Sequence, residues 1–493
     1  MIEPPIHPNP LIAPIPPVSP IDNALLAAWQ RTLVLKGSAP AILSARGDVV
    51  RSFDEIETES TQLARLFDGL PPHSVVGMQI GNNERWPAVL LALWRQRLIP
   101  LPLGCHTQPG ELALALSTCH AAALLTLEAG KPSVRPVRKL NGAVNGSDRG
   151  IAAPGPEGDF LKLTSGTTSL PRAIRFRASQ LLADGENICA TMGITPEDTN
   201  FGVIPMSHSY GFSNLITPLL AFGVPLAVSE DRIPRAILEG LAKTGATVFP
   251  ATPVLFQKLG DMDKTPKLPN LRLCLSAGAP LLRAGAEPFT AKFGLKIHTF
   301  YGASECGGIA YDAGEALTYE DGCVGTPMRG VEITHTSAES GAITVRSAAV
   351  GDGYFPESDE ASLGQGRFVP GDLIQKTARG LLVTGRVSEI INVAGRKLNP
   401  LEVEARLAEF PGVKQAVVFG VRSELRGEEP VACVAGQTIE REALMRHCHE
   451  RLSSWQIPRD LWIVDEIPSG ERGKISRRAL AESYGAKMGS NRP

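Results

Sequence analysis

Two carboxylates, two cations and a run of hydroxyls stand beside glycines in this 493-residue chain. "LTSGTTSLPRAIRF", residues 163–176, sets Thr164, Ser165, Thr167, Thr168 and Ser169 around Gly166. The glycine lets the backbone aim several N–H groups at one point, and the hydroxyls add donors, which is the chemistry of a polyphosphate cradle. No GxxxxGK[ST] is present, and a strand-like run follows, so this is not a Walker loop. Glu305 in "TFYGASECGG" follows a strand-like run and a glycine, where a lone carboxylate suits Mg²⁺ riding on nucleotide phosphates. Asp372 in "FVPGDL" is suited to accept from two ribose hydroxyls, while Arg386 ends "LLVTGR" and Lys474 lies in "PSGERGKISR". Taken singly, each has an ordinary reading: a solvated Ser/Thr turn, an exposed loop glutamate, a Gly-Asp turn.

The elements that must position these groups alternate. "SVVGMQIGNN", "LIPLPLG", "TNFGVIPM", "ATVFPATP", "LRLCLSAGAP" and "LKIHTFYG" read as strands. Between them "ERWPAVLLALWRQ", "ASQLLADGENICATMG", "RAILEGLAKTG", "VLFQKLGDM" and "RAGAEPFTAKFG" read as helices. That order predicts helix-covered, mostly parallel sheets, an α/β fold. The character changes near Gly371, where "GAITVRS", "GDLIQKT" and "GLLVTGR" predict a small β-structured subdomain. After Arg386 a small α+β domain is expected, with "NPLEVEARLAEF" opening on Asn399 as N-cap, Pro400 at the first helical position and Glu402 at the third. The expected division is a proline-rich leader over 1–21, a large domain over 22–386, and a small mobile domain over 387–493.

Composition sets bounds. Charged residues are 20%, the hydrophobic class 43%, and the net charge is −2, which gives no reason to expect nucleic acid as a partner. No apolar run reaches the roughly 18–20 residues that span a bilayer. The opening "MIEPPIHPNPLIAPIPPVSP" lacks a basic start and is broken by prolines, so it reads as an extended leader and not a signal peptide. The eight cysteines include no CxxC pair, which fits a reducing, cytoplasmic setting. "HCH" at residues 447–449 falls in a helical pattern that puts Leu444, Cys448 and Leu452 on one face, so Cys448 is expected in the core.

The five motifs in this order resemble the adenylate-forming superfamily: acyl-CoA synthetases, 4-coumarate–CoA ligase-like enzymes, firefly luciferase and peptide-synthetase adenylation domains. The likeness runs over about residues 22–483. It implies that "TSGTTSLPR", Thr164 to Ser169 included, is the phosphate loop, with Thr168 among its catalytic groups. It implies that His208 of "PMSHSYGF" lies between acyl pocket and phosphates, with Tyr210 and Gly211 in that pocket. In "SAGAPL", Ala277, Gly278 and Ala279 would lie near adenine. In "YGASE", Tyr301, Gly302, Ala303 and Ser304 would line the nucleotide, and Glu305 would hold Mg²⁺. Asp372 would reach ribose, Arg386 ribose or phosphate, Gly395 and Arg396 a pantetheine tunnel, and Lys474 the carboxylate and α-phosphate. Three departures stand out: Ser169, Arg172 and Ala173 replace glycine, lysine and glycine; Ser388 occupies a hinge position that usually carries an acidic residue or lysine; and Gly308 stands where proline is frequent.

The resemblance implies an ATP-dependent acid–thiol ligase that needs ATP, Mg²⁺ and coenzyme A. Loading of a carrier-protein phosphopantetheine is the alternative acceptor, and a nucleotide-binding pseudoenzyme the alternative class. Gly302, Gly307 and Gly308 suggest a roomy pocket floor, which favours a fatty acid over an aryl acid.

Overall fold

The computed structural model describes residues 23–137, 156–164, 172–335, 340–394, 396–423, 427–468 and 475–489. The leader, Ser165, Gly166, Thr167, Thr168, Ser169, Gly395 and Lys474 lie outside the described residues, as does the side chain of Ser388.

Chain order sets the architecture. Strands Asn200–Gly202, Leu226–Val228, Val248–Ala251, Leu273–Ser276 and Ile297–Ala303 pair in parallel. Each is short and largely buried, and helices such as Pro234–Thr244 and Arg283–Phe293 return the chain between them. A second parallel core joins Val75–Gln79 to Ile99–Pro102 and Ala121–Glu128. Its covering helix, Trp86–Arg95, is buried from Trp86 through Trp94, as its unbroken apolar run requires.

The change to antiparallel pairing comes earlier than Gly371. Gly307–Tyr311 turns straight back on Ile297–Ala303, and Cys323–Pro327 continues the ladder. "GGIAY" is too short and too buried to be read as a loop, and no helix separates it from its neighbour. Glu305 therefore sits in the tight connection of an antiparallel pair. Asp372–Thr377 and Gly380–Arg386 extend the same sheet, with Asp372 opposite Arg386. Phe160–Thr164, Arg172–Phe176 and Gly353–Phe355 form a separate antiparallel sheet that carries both ends of the hydroxyl-rich loop.

A smaller α+β domain follows. The turn Val387–Glu389 leads from Gly380–Arg386 to a sheet of Ile391–Val393, Arg396–Leu398, Val413–Ser423, Gly427–Gly436 and Asp460–Val464. Its two faces follow the strand period of two: Val418, Ala432 and Val434 enter one core, while Val417, Phe419, Val431 and Cys433 enter the other. Helix Pro400–Ala408 starts at Asn399, whose side chain accepts from Leu401 N–H. Leu444 and Cys448 are fully buried and Leu452 packs against the same cluster, while His447 bonds the Arg406 carbonyl.

Candidate active site

Tyr301, Asp372 and Arg386 form one hydrogen-bonded cluster, of which Asp372 and Arg386, but not Tyr301, line a cavity of about 370 Å³. Asp372 begins its strand and is only 6% exposed. Arg386 Nε donates to Asp372 Oδ1 at 2.6 Å, and the Tyr301 hydroxyl donates to Oδ2 at 2.6 Å. Burial, then the Asp372 charge, pushes the Tyr301 hydroxyl well above its ordinary pKa, so it stays a donor. An ionised carboxylate offers about four acceptor sites, so these two bonds leave about two for another donor. Asp372, Arg386 and the backbone beside Tyr301 at Gly302 all line the cavity.

Glu305 and Thr164 lie on the same wall system. The Tyr354 hydroxyl donates to Glu305 Oε1 at 3.0 Å. Arg172 stacks on the Tyr354 ring, with its guanidinium carbon 4.3 Å from the ring centroid. Thr164 Oγ1 donates to the Arg172 carbonyl at 3.0 Å and closes the strand pair behind the loop. Among the described residues no group of three or more His, Cys, Asp or Glu could hold a metal by itself. A single carboxylate, as Glu305 offers, suits Mg²⁺ where phosphates supply further ligands, because that ion keeps several waters and takes one or two carboxylates plus phosphates.

His208 caps the short helix Ser209–Gly211, and its Nδ1 accepts from Tyr210 N–H at 3.3 Å. A neutral imidazole accepting there carries its hydrogen on Nε2. His208 and Tyr210 both line the cavity. The Tyr210 hydroxyl is turned into the sheet, donating to the Leu275 carbonyl at 3.0 Å, so only its ring forms cavity wall. Ala277, Gly278, Ala303 and Ser304 also line the cavity; Ala279, Gly211 and Gly308 do not. Arg396 lies in the small domain over the Trp455 ring.

A side chain at Gly211, Gly302, Gly307 or Gly308 would meet its neighbours. A methyl group at Gly307 would lie 2.0 Å from Asp184 Oδ1, and one at Gly308 would lie 2.6 Å from Met328 Sδ. At Gly302 it would meet the Gly307 carbonyl at 2.6 Å, and at Gly211 the Pro205 carbonyl at 2.1 Å. These glycines permit close approach of neighbouring groups, and the space they leave is already filled.

Sequence reasoning missed Tyr354, Ser213, Asp184 and Lys162. Lys162 is a charged residue inside the apolar run "FLKL", and Asp184 lies in the middle of helix Ala178–Met192 facing the core. A charge at a core position was the available signal for both.

The chain matches two family models: "AMP-binding enzyme" over residues 30–355 and "AMP-binding enzyme C-terminal domain" over 402–474. An oxalate–CoA ligase of Arabidopsis thaliana is 28% identical over 483 residues, covering 88% of this chain and 93% of that protein. A sulfoacetate–CoA ligase of Cupriavidus necator is 25% identical over 486 residues, covering 90% and 94%. The structure of ATP-bound MatB from Rhodopseudomonas palustris superposes with a TM-score of 0.80 at 23% identity, over 93% of this chain and 98% of that one, which establishes the shared fold. The chain therefore belongs to the AMP-binding enzyme family of the adenylate-forming superfamily.

Proposed function

We propose that this enzyme is an ATP-dependent acid–thiol ligase, which forms an acyl-AMP and passes the acyl group to coenzyme A. The observation that carries the reading is the Tyr301–Asp372–Arg386 cluster on the wall of a cavity that also holds Thr164, Glu305 and His208. The two open acceptor sites of Asp372 suit the vicinal hydroxyls of ribose, and Gly278, which lines the same cavity, would stand beside the base. Thr164 begins the phosphate loop.

A carboxylate is a poor electrophile because oxide would have to leave; its adenylate has AMP as leaving group. The chain's own residues must hold the acid oxygen in line with the α-phosphorus and offset the charge that develops there. His208, with hydrogen on Nε2, is the donor for the acid carboxylate. Lys474 is the cation for the α-phosphate. Glu305 would hold Mg²⁺, which when bound neutralises polyphosphate charge. No side-chain nucleophile is required.

The second half-reaction brings a thiol to the acyl carbon through a tunnel at Gly395, after Lys474 withdraws. We place the pivot at the turn Val387–Glu389 and the domain boundary with it, since a closing domain can serve two chemistries at one site. We take a short acid in preference to a fatty acid. The relatives named for oxalate and sulfoacetate point the same way. Incubation with ATP, CoA and graded carboxylic acids, read by mass detection of the CoA thioester, tests this. Thioester from short acids is expected, whereas turnover confined to long-chain acids would overturn the size assignment.

A further inference from the structure

A buried polar group lies behind the acyl end of the cavity. Ser213 lines the cavity although it is 3% exposed, in the wide helical turn Phe212–Ile216. Its hydroxyl lies 2.5 Å from Asp184 Oδ2, and Gly308 N–H donates to Asp184 Oδ1 at 2.9 Å. Asp184 is 3% exposed. Lys162, 5% exposed, packs its ammonium 4.5 Å from the Phe176 ring centroid. Burial works against the Lys162 charge, and the Asp184 carboxylate is the strongest influence sustaining it.

Ser213 Oγ donates its single hydrogen to Asp184 Oδ2, while Asp184 Oδ1 is taken up by the Gly308 N–H. What Ser213 then turns to the cavity is lone pairs without a hydrogen. His208, with hydrogen on Nε2, supplies the opposite polarity on the same cavity. Resting on the ligase reading above, we propose that Ser213, set by Asp184, makes this site select short acids that carry a hydrogen-bond donor, a hydroxyl or amine, at the end away from the reacting carboxylate. A second carboxylate or a sulfonate finds no donor at Ser213, and a plain methyl leaves its lone pairs unmet. In this the chain diverges from its relatives named for oxalate and sulfoacetate. Asp184 acts as a positioning residue, because it fixes the direction of the Ser213 hydrogen without lining the cavity.

The test is acid-dependent exchange of labelled pyrophosphate into ATP by the full-length protein. The probes are short ω-hydroxy and ω-amino acids of graded length, their methyl isosteres and the matching dicarboxylates, with 4-hydroxybenzoate, 4-methylbenzoate and terephthalate as a rigid set. Wild type should prefer the hydroxy or amino acid over its methyl isostere by at least about tenfold in kcat/KM, since a site built around a substrate hydroxyl discriminates strongly against its absence. Ser213→Ala should bring that ratio close to unity. Asp184→Asn should let the Ser213 hydroxyl rotate and raise the relative rate with the dicarboxylate, a change that mere loosening of the fold would not produce. If Asp184→Asn does not fold, Ser213→Ala decides alone. A wild-type preference for the methyl or dicarboxylate probe, or an unchanged ratio in Ser213→Ala, overturns the proposal. Absence of exchange with every acid would overturn the ligase reading itself, a result distinct from exchange without selectivity.

Discussion

Asp372→Asn separates the structural role of one carboxylate from the nucleotide-binding role proposed for it. In the protein each oxygen accepts one short bond, from Arg386 Nε and from Tyr301. An amide can keep its oxygen toward Arg386 and turn its NH₂ toward Tyr301, whose hydroxyl rotates to accept. The Arg386 side chain is 54% exposed, so the lost ion pair is largely screened and costs about 1 kcal/mol at most. That is a Tm decrease of about 2–4 °C or less. For ribose the loss is larger. Two hydroxyls facing a carboxylate make charge-assisted bonds of about 1.5–3 kcal/mol each. The amide keeps one acceptor atom, so one bond is lost and the other becomes neutral, about 3 kcal/mol together, or a weakening of ATP binding by about 100-fold. The assay is calorimetric ATP binding alongside the ATP dependence of pyrophosphate exchange, repeated with 2′-deoxy-ATP. Wild type should lose affinity for the deoxy nucleotide, and Asp372→Asn should lose little more. ATP affinity within about threefold of wild type, in a variant whose Tm has fallen, would refute the ribose role and leave Asp372 as an internal strut.

Glu305→Gln should raise the Mg²⁺ needed for half-maximal exchange by at least about tenfold, and an unchanged Mg²⁺ titration would remove Glu305 from the metal. Lys474→Ala should abolish exchange while sparing thioester formation from supplied acyl-AMP; equal loss of both would displace the lysine from the first half-reaction. Burial pushes Glu404 up to about 7, against the pull of Arg477, which also bonds Glu389 of the turn Val387–Glu389 at 2.7 Å. The folded chain therefore holds a proton that the unfolded chain releases near 4.5, and stability contributed by Glu404 falls as pH rises from there to about 7. Thermal unfolding of Glu404→Gln across that range should show a shallower decline than wild type, and a parallel decline would contradict the assignment.

Much of this was legible in the sequence because local rules and motif order agree. The Asn399-Pro400 helix start, the buried Cys448 and the parallel strand–helix alternation follow from caps and periodicity alone. Asp372, Arg386 and Tyr301 were each identifiable as candidates, but their mutual bonds depend on strand register, which no local pattern carries. The glycines misled for a related reason. A missing side chain signals either open space or close approach, and only the neighbours, Asp184 at Gly307 and Met328 at Gly308, show that it is the latter. Tyr354 escaped notice because its role lies in a bond to Glu305 across a large sequence gap. Ser213 sits beside the "HSYG" motif, yet its polarity is set by a helix charge elsewhere in the chain.

The central claim is that the acid oxygen attacks the α-phosphorus of ATP. With an acid that supports turnover, labelled with ¹⁸O in its carboxylate, the label should appear in AMP after thioester formation and be absent from pyrophosphate. Label in inorganic phosphate, or AMP without label, would mean that activation proceeds through another phosphorus or another nucleophile, and would contradict the account.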